Sequence, residues 1–183
     1  MRTSILLPIL LILIPVSQAL QDLIPGLPPA QERIQLLPVI FCFGVLALPL
    51  VPALFFALAT AMVGGLSMLQ IQSGQAEFGL AWPIVFFLIW TIVLQMASET
   101  TRGMRWELHA LGSALVTVTL LAGEFLILCA KRGGFPVGLA VLLRIVIPSA
   151  LSLLIAPMLY LMLRKLVPLS PEAVMESTTS PEI

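Results

Sequence analysis

Two ionisable residues, Glu124 and Arg144, stand inside long apolar stretches of the sequence, where a charge is rare and costly to bury. Each lies ten residues from Gly134, which falls in a turn rich in Gly and Pro. If the two stretches are helices of an antiparallel hairpin, both charges reach a similar depth. The spacing predicts a structural ion pair across the hairpin. A proton or ion relay, snorkelling and contact with a partner are the alternatives.

Other side chains capable of chemistry are few and scattered. The chain has one His, His109, and two Cys, Cys42 and Cys129, without the spacing of a metal site or a disulfide framework. No nucleophile–base set, phosphate-binding loop or inward carboxylate pair can be assembled. We therefore predict no enzymatic activity, no cofactor and no metal. His109 is interpreted as an interfacial residue and the two thiols as buried apolar groups.

The composition of the chain is that of an integral membrane protein. Of its 183 residues 60% are apolar and 10% are charged, and the mean hydropathy is +1.11, whereas soluble domains carry roughly 25% charged residues. Nine basic residues balance nine acidic ones. This balance argues against nucleic acid as a partner, because phosphate binding needs an uncompensated basic face.

Long apolar runs predict an all-α, polytopic membrane protein with six transmembrane helices. Pro49 and Pro52 divide the longest run, 34–70, into two helices joined by a tight turn. The other spans are 4–20, 78–97, 108–130 and 138–163, and a short polar break at 73–77 precedes the fourth. Residues 1–167 are predicted to form a single transmembrane domain and 168–183 a disordered cytoplasmic tail.

The N-terminal span has a second interpretation. Arg2 precedes a short apolar region, and Ser17-Gln18-Ala19 resembles a signal-peptidase site, so a cleaved signal peptide would leave five helices. With the N-terminus in the cytoplasm, five basic residues fall in inside segments and three in outside segments. This bias predicts that both termini are cytoplasmic.

Two further features are candidates for contacts between helices or with other proteins. Small residues recur every fourth position of the third span, at Ala53, Ala57, Ala61 and Gly65. Such a face favours close helix packing within the chain or against a partner. The charged segment 98–107 is predicted to be an interfacial loop, with Arg102, Arg105 and an indole at headgroup level, Trp106.

Several short stretches of the sequence, distributed over the predicted spans, resemble sequences of one protein family. They are Leu20-Gln21 before a proline-containing segment, Gly64-Gly65-Leu66, Pro148-Ser149-Ala150-Leu151, Ala156-Pro157 and the basic ending Arg164-Lys165. In these stretches the chain resembles the MreD family of bacterial rod shape-determining membrane proteins. Many members carry an Asp shortly after the Gly-rich step, whereas residues 67–70 contain none.

The resemblance implies a non-catalytic scaffold in the bacterial inner membrane. Such a scaffold would bind MreC and connect cytoplasmic filaments with RodA-type enzymes of the elongasome during peptidoglycan synthesis. An alternative of another class is a substrate-binding membrane subunit like the S component of energy-coupling-factor transporters, which has a similar size and helix number. A pocket lined by several polar groups would distinguish the alternative.

Overall fold

The computed structural model describes residues 3–24, 34–67, 70–72, 75–77, 81–100, 106–134 and 138–166. Within these ranges the fold is all-α with one short β-hairpin between the third and fourth helices. The elements are α1 (Thr3–Leu23), α2 (Leu36–Ala47), α3 (Leu50–Ser67), β1 (Gln70–Gln72), β2 (Gln75–Glu77), α4 (Ala81–Thr100), α5 (Trp106–Arg132) and α6 (Leu139–Leu166).

The predicted helical class and the number of six helices are confirmed in the described part of the chain. Four helices are long and apolar enough to cross a membrane, over Ile5–Leu23, Ala81–Thr100, Trp106–Lys131 and Val141–Leu163. Large apolar side chains are exposed along their outer faces. These helices identify a multi-pass membrane protein. The predicted tail, 168–183, lies outside the described residues.

The other two helices, α2 and α3, are shorter than these four. The apolar run 34–70 is not helical over its whole length. It is broken around Leu48 and Pro49, and its helical parts are the 12 residues of α2 and the 18 residues of α3. Twelve residues rise about 18 Å, less than the roughly 30 Å of a bilayer core. The run also ends earlier than predicted, because Gln70 begins β1, which pairs antiparallel with β2.

The short helix α2 is the centre of the bundle. Ten of its 12 residues are buried, and it contacts each of the other five helices. It forms an antiparallel hairpin with α3, in which Gly44 packs on the Phe56 ring and Leu37 lies against Gly64. A helix that is apolar all round requires such enclosure, by protein or by lipid. Here the protein supplies it.

The other helices pack around α2, and successive helices along the chain run in opposite directions. We call the level where α1 ends and α2 begins the Gln21 end, and the opposite level, where α2 and α4 finish, the Gln95 end. Gln95 of α4 contacts Val45 and Leu48 at the latter end. The α5–α6 hairpin has its register set by the Thr117–Ser152 hydrogen bond and the His109–Tyr160 ring contact. Gly133, at φ 70°, follows α5 in the left-handed conformation that glycine tolerates.

Candidate functional site

Both ends of α2 lie inside the bundle and are capped by glutamine side chains from other helices. At its start, the Leu36 N–H donates to Gln21 Oε1 at 3.1 Å. At its end, Gln95 Nε2 donates to the carbonyls of Val45 and Leu48. The termini of a helix leave backbone groups without intrahelical partners, and these are costly in an apolar medium. Because the Gln21 and Gln95 amides pair with these backbone groups, a helix shorter than a membrane span can begin and end inside the bundle.

A cavity of about 210 Å³ lies at the Gln21 end, against the start of α2. Its lining includes both polar and apolar residues. The polar residues are Gln18, Gln21, Asp22, Gln35 and Glu124, and the apolar ones are Leu37, Gly64, Pro83, Phe87 and Leu120. The lining comes from α1, α3, α4 and α5 together with the start of α2. Concave sites that combine apolar walls with a few polar groups are typical of small-molecule binding.

The polar wall is ordered by hydrogen bonds to the α2 cap. Gln21 Nε2 donates to Gln35 Oε1 at 3.1 Å while Gln21 Oε1 accepts from Leu36, so both functions of the Gln21 amide are used. Gln21 is only 8% exposed, and it sits in the last turn of α1. The Gln21 amide is thus fixed in orientation, and it links α1 to the start of α2 beside the cavity.

A polar seam leads from the cavity toward the Gln95 end between α2, α5 and α6. The Ser152 hydroxyl lies 3.4 Å from the Gln35 carbonyl, and Thr117 Oγ1 lies 3.1 Å from Ser152 Oγ. Ser113 and His109 continue the line one and two turns earlier on α5, and all four side chains are fully buried. Most of the hydroxyl donors are satisfied by carbonyls of their own helices.

His109 lies inside the bundle, so its interpretation as an interfacial residue is wrong. Its side chain has no exposed surface, and Nε2 lies 3.1 Å from the Val39 carbonyl of α2. The ring stands edge-on to Phe43 and is tilted against Tyr160 of α6. Nearness to Trp106 in the sequence suggested the interface, but it does not indicate which side of α5 packs against α2 and α6.

Cys42 and Cys129 are free and buried, as predicted. Among the described residues, no group of three or more His, Cys, Asp or Glu could hold a metal ion.

Glu124 and Arg144 stand at matching levels of the α5–α6 hairpin. Thr117 of α5 lies opposite Ser152 of α6 in this antiparallel hairpin. Seven residues further along α5, Glu124 therefore lies opposite Ile145, the residue next to Arg144. Glu124 is half-buried and lines the cavity, whereas the Arg144 side chain is exposed and is not part of the described cavity lining. The ion pair between them stays a prediction.

The small-residue face of α3 lies within the bundle. Ala53, Ala57 and Ala61 have no exposed surface and belong to the main core, and Gly65 is buried as well. Of the two interpretations of this face, packing within the chain is the one that the structure shows. A partner protein would need a different surface.

The interfacial loop is only partly described. Arg102 and Arg105 lie outside the described residues. Trp106 is the first residue of α5 and is 51% exposed. An exposed indole at a helix end fits the headgroup position proposed for it.

Apart from Glu124, the polar residues of the cavity were not predicted from the sequence. Gln18 and Gln21 were assigned to the end of the first span and to the segment after it, and Gln35 to the start of the second. The available signal was the presence of amide side chains at the ends of predicted spans. Their convergence could not be read from the sequence, because α1 ends at Leu23, α2 begins at Leu36, and no local pattern specifies how the two helices pack.

Replacing Gln21 tests the cap on α2. We expect Gln21→Leu to lower the free energy of unfolding by about 1–2 kcal/mol, because the buried Leu36 N–H loses its acceptor. Gln21→Glu retains an acceptor and should cost less. The measurement is the thermal unfolding midpoint of the detergent-purified protein. Gln18→Leu is the matched control, one turn earlier on the same cavity wall; an equal loss in both would contradict the cap.

Comparisons of the chain with protein-family models, curated proteins and solved structures returned no match.

Proposed function

We propose that the chain is a non-catalytic scaffold of the wall-elongation machinery, in the bacterial inner membrane with both termini in the cytoplasm. The proposal begins from the resemblance to the MreD family in the Gly64-Gly65-Leu66 step and in the last helix. Its partners would be MreC and RodA-type membrane proteins. The observation that carries it is the exposed apolar surface of the long helices, since a chain built almost wholly of such helices meets its partners there.

The outer faces of α1 and α4 are two of the surfaces available for such partners; α3, α5 and α6 also expose apolar side chains. On α1 the exposed apolar side chains follow a helical spacing of three and four, at Ile5, Ile9, Ile12, Val16 and Leu20. On α4 a similar stripe comprises Val85, Ile89, Ile92 and Met96. Lipid covers these stripes where no partner does. The buried alanines of α3 have no role in this docking.

Affinity purification of the tagged protein from its own host, in a mild detergent, tests the scaffold. We expect MreC-type or RodA-type proteins in the eluate by mass spectrometry. Variants with three stripe residues changed to Ala, on α1 or on α4, locate the docking helix by loss of the partner. The scaffold proposal fails if no wall-synthesis protein is enriched over an unrelated tagged membrane protein.

A second candidate function is supported by the polar cavity: a membrane subunit that binds a small molecule. Five polar side chains line one cavity of the bundle. Partial burial of Gln18, Gln35 and Glu124 has a cost that a ligand or water must offset. A metabolite retained through gentle purification, and lost when the cavity is filled by Gly64→Leu, supports this function. Retention unchanged by that substitution counts against the cavity as its site.

A further inference from the structure

We propose that the cavity at the Gln21 end binds a small organic cation, with its ammonium group at Glu124 and its apolar part against Phe87. This inference rests on the second candidate function, small-molecule binding, and names the class of ligand. It follows from the charge, the mixed lining and the size of the cavity.

The described part of the cavity wall carries negative charge. Glu124 of α5 supplies a half-buried carboxyl, and the exposed Asp22 adds a second at the end of α1. None of the ten described lining residues is Lys, Arg or His. A carboxylate removed from water needs a compensating charge or hydrogen bonds. A cation that enters from the cavity side would supply both.

The mixed lining favours a molecule with one polar and one apolar end. Glutamine amides share the lining with the carboxyls, and an amide oxygen accepts hydrogen bonds from an N–H donor. The same lining contains Leu37, Pro83, Phe87 and Leu120, and both Leu37 and Phe87 lie near Gly64. Water alone would leave these apolar residues poorly matched, since a buried water needs several polar partners. An aromatic face such as Phe87 also attracts an ammonium group.

The size of the cavity limits the ligand to a small molecule. Its volume of about 210 Å³ is below the roughly 300–1,000 Å³ of pockets that enclose drug-sized ligands. A lipid headgroup amine is disfavoured because its phosphate would enter a wall without a described basic residue. A free amine with a short hydrocarbon part satisfies both the volume and the charge.

Binding is tested with the full-length protein in detergent and a series of primary alkylammonium ions, from methylammonium to hexylammonium. Alcohols and carboxylates of equal length are the controls. We expect at least one ammonium ion to raise the thermal unfolding midpoint, because a ligand that binds only the folded state stabilises it. The matched alcohol and carboxylate should leave the midpoint unchanged.

Substitutions then place the ammonium group. Glu124→Gln should weaken binding roughly tenfold or more, because a charge-assisted hydrogen bond is lost. Glu99→Gln, the same change at an exposed residue in the last turn of α4 and outside the described lining, should leave binding unchanged. If Glu124→Gln does not fold, Gln18→Lys replaces it, since a lysine ammonium on the cavity wall would occupy the cation position and abolish the response. Unchanged binding in either cavity variant overturns the proposal.

The remaining outcomes separate the ligand class from the function on which it rests. A midpoint raised by the alcohols or carboxylates instead would overturn the cation while retaining small-molecule binding. Selective retention of phosphatidylethanolamine over phosphatidylglycerol, without a response to free alkylammonium ions, would assign the ammonium to a lipid and overturn the free amine. No response to any probe, together with no retained metabolite, would overturn both the ligand and the second candidate function.

Discussion

Gly44→Leu is expected to destabilise the protein by about 3 kcal/mol, near the upper end of the overpacking range. Gly44 lies in the α2–α3 hairpin, where even a Cβ atom would collide with Phe56 Cε1. The Phe56 ring is fully buried and cannot swing into solvent. In an open helical position, replacing Gly would gain up to about 1 kcal/mol from propensity. At Gly44 the destabilisation from overpacking is larger than this gain in helix propensity, so the substitution lowers the stability of the protein.

The thermal unfolding midpoint and the fraction of monodisperse protein after detergent extraction measure this loss. Gly138→Leu is the matched control, since nothing lies within 4 Å of a Cβ at that position. Phe56→Ala should partly rescue Gly44→Leu, with a coupling of about 0.5–3 kcal/mol typical of residues in contact. Equal losses at the two glycines, or strict additivity with Phe56→Ala, would contradict the close packing of α2 on α3.

The helices were predictable because hydropathy and length act locally. The runs that became α1, α4, α5 and α6 are long and uninterrupted, and lipid-exposed backbone has no alternative to a helix. The break at Pro49 was equally local. The length of α2 was not predictable, because Gln21 and Gln95 cap its ends from distant parts of the chain.

The orientation of side chains around each helix was the harder problem. A membrane helix that is apolar on all sides offers no polar face to separate inside from outside. Glu124 was recognised as unusual from its chemistry alone, but the cavity that it lines depends on five helices meeting. His109 was misplaced for the same reason. The small-residue face of α3 was informative, since residues without bulk favour close packing on any side.

The role of α1 bears on the signal-peptide alternative. Leu10 and Ile14 are buried in the main core, and Gln21 caps α2 and lines the cavity. A chain cleaved after Ala19 would lose the two apolar residues from the core and the helix that carries Gln21. The size of the mature N-terminal peptide by mass spectrometry decides between retention and cleavage.

His109→Ala is expected to cost about 3 kcal/mol, similar to truncations of large core side chains. The imidazole fills a space with no exposed surface between α2 and α6. Its removal leaves a cavity beside Phe43 and Tyr160 and ends the contact of Nε2 with the Val39 carbonyl. Leu111→Ala on the same helix is the control; Leu111 is 59% exposed, and its truncation should change stability by less than about 0.5 kcal/mol.

The conservative variants separate packing from hydrogen bonding at His109. His109→Phe restores the ring contacts but has no donor, whereas His109→Gln has a donor and lacks the ring. Because the Val39 carbonyl lies within a helix and retains its backbone partner, losing the side-chain donor should cost only about 1 kcal/mol. We therefore expect His109→Phe to be more stable than His109→Gln, and both to be more stable than His109→Ala. The reverse order of the first two would make the hydrogen bond to α2, rather than ring packing, the main contribution of His109 to the fold.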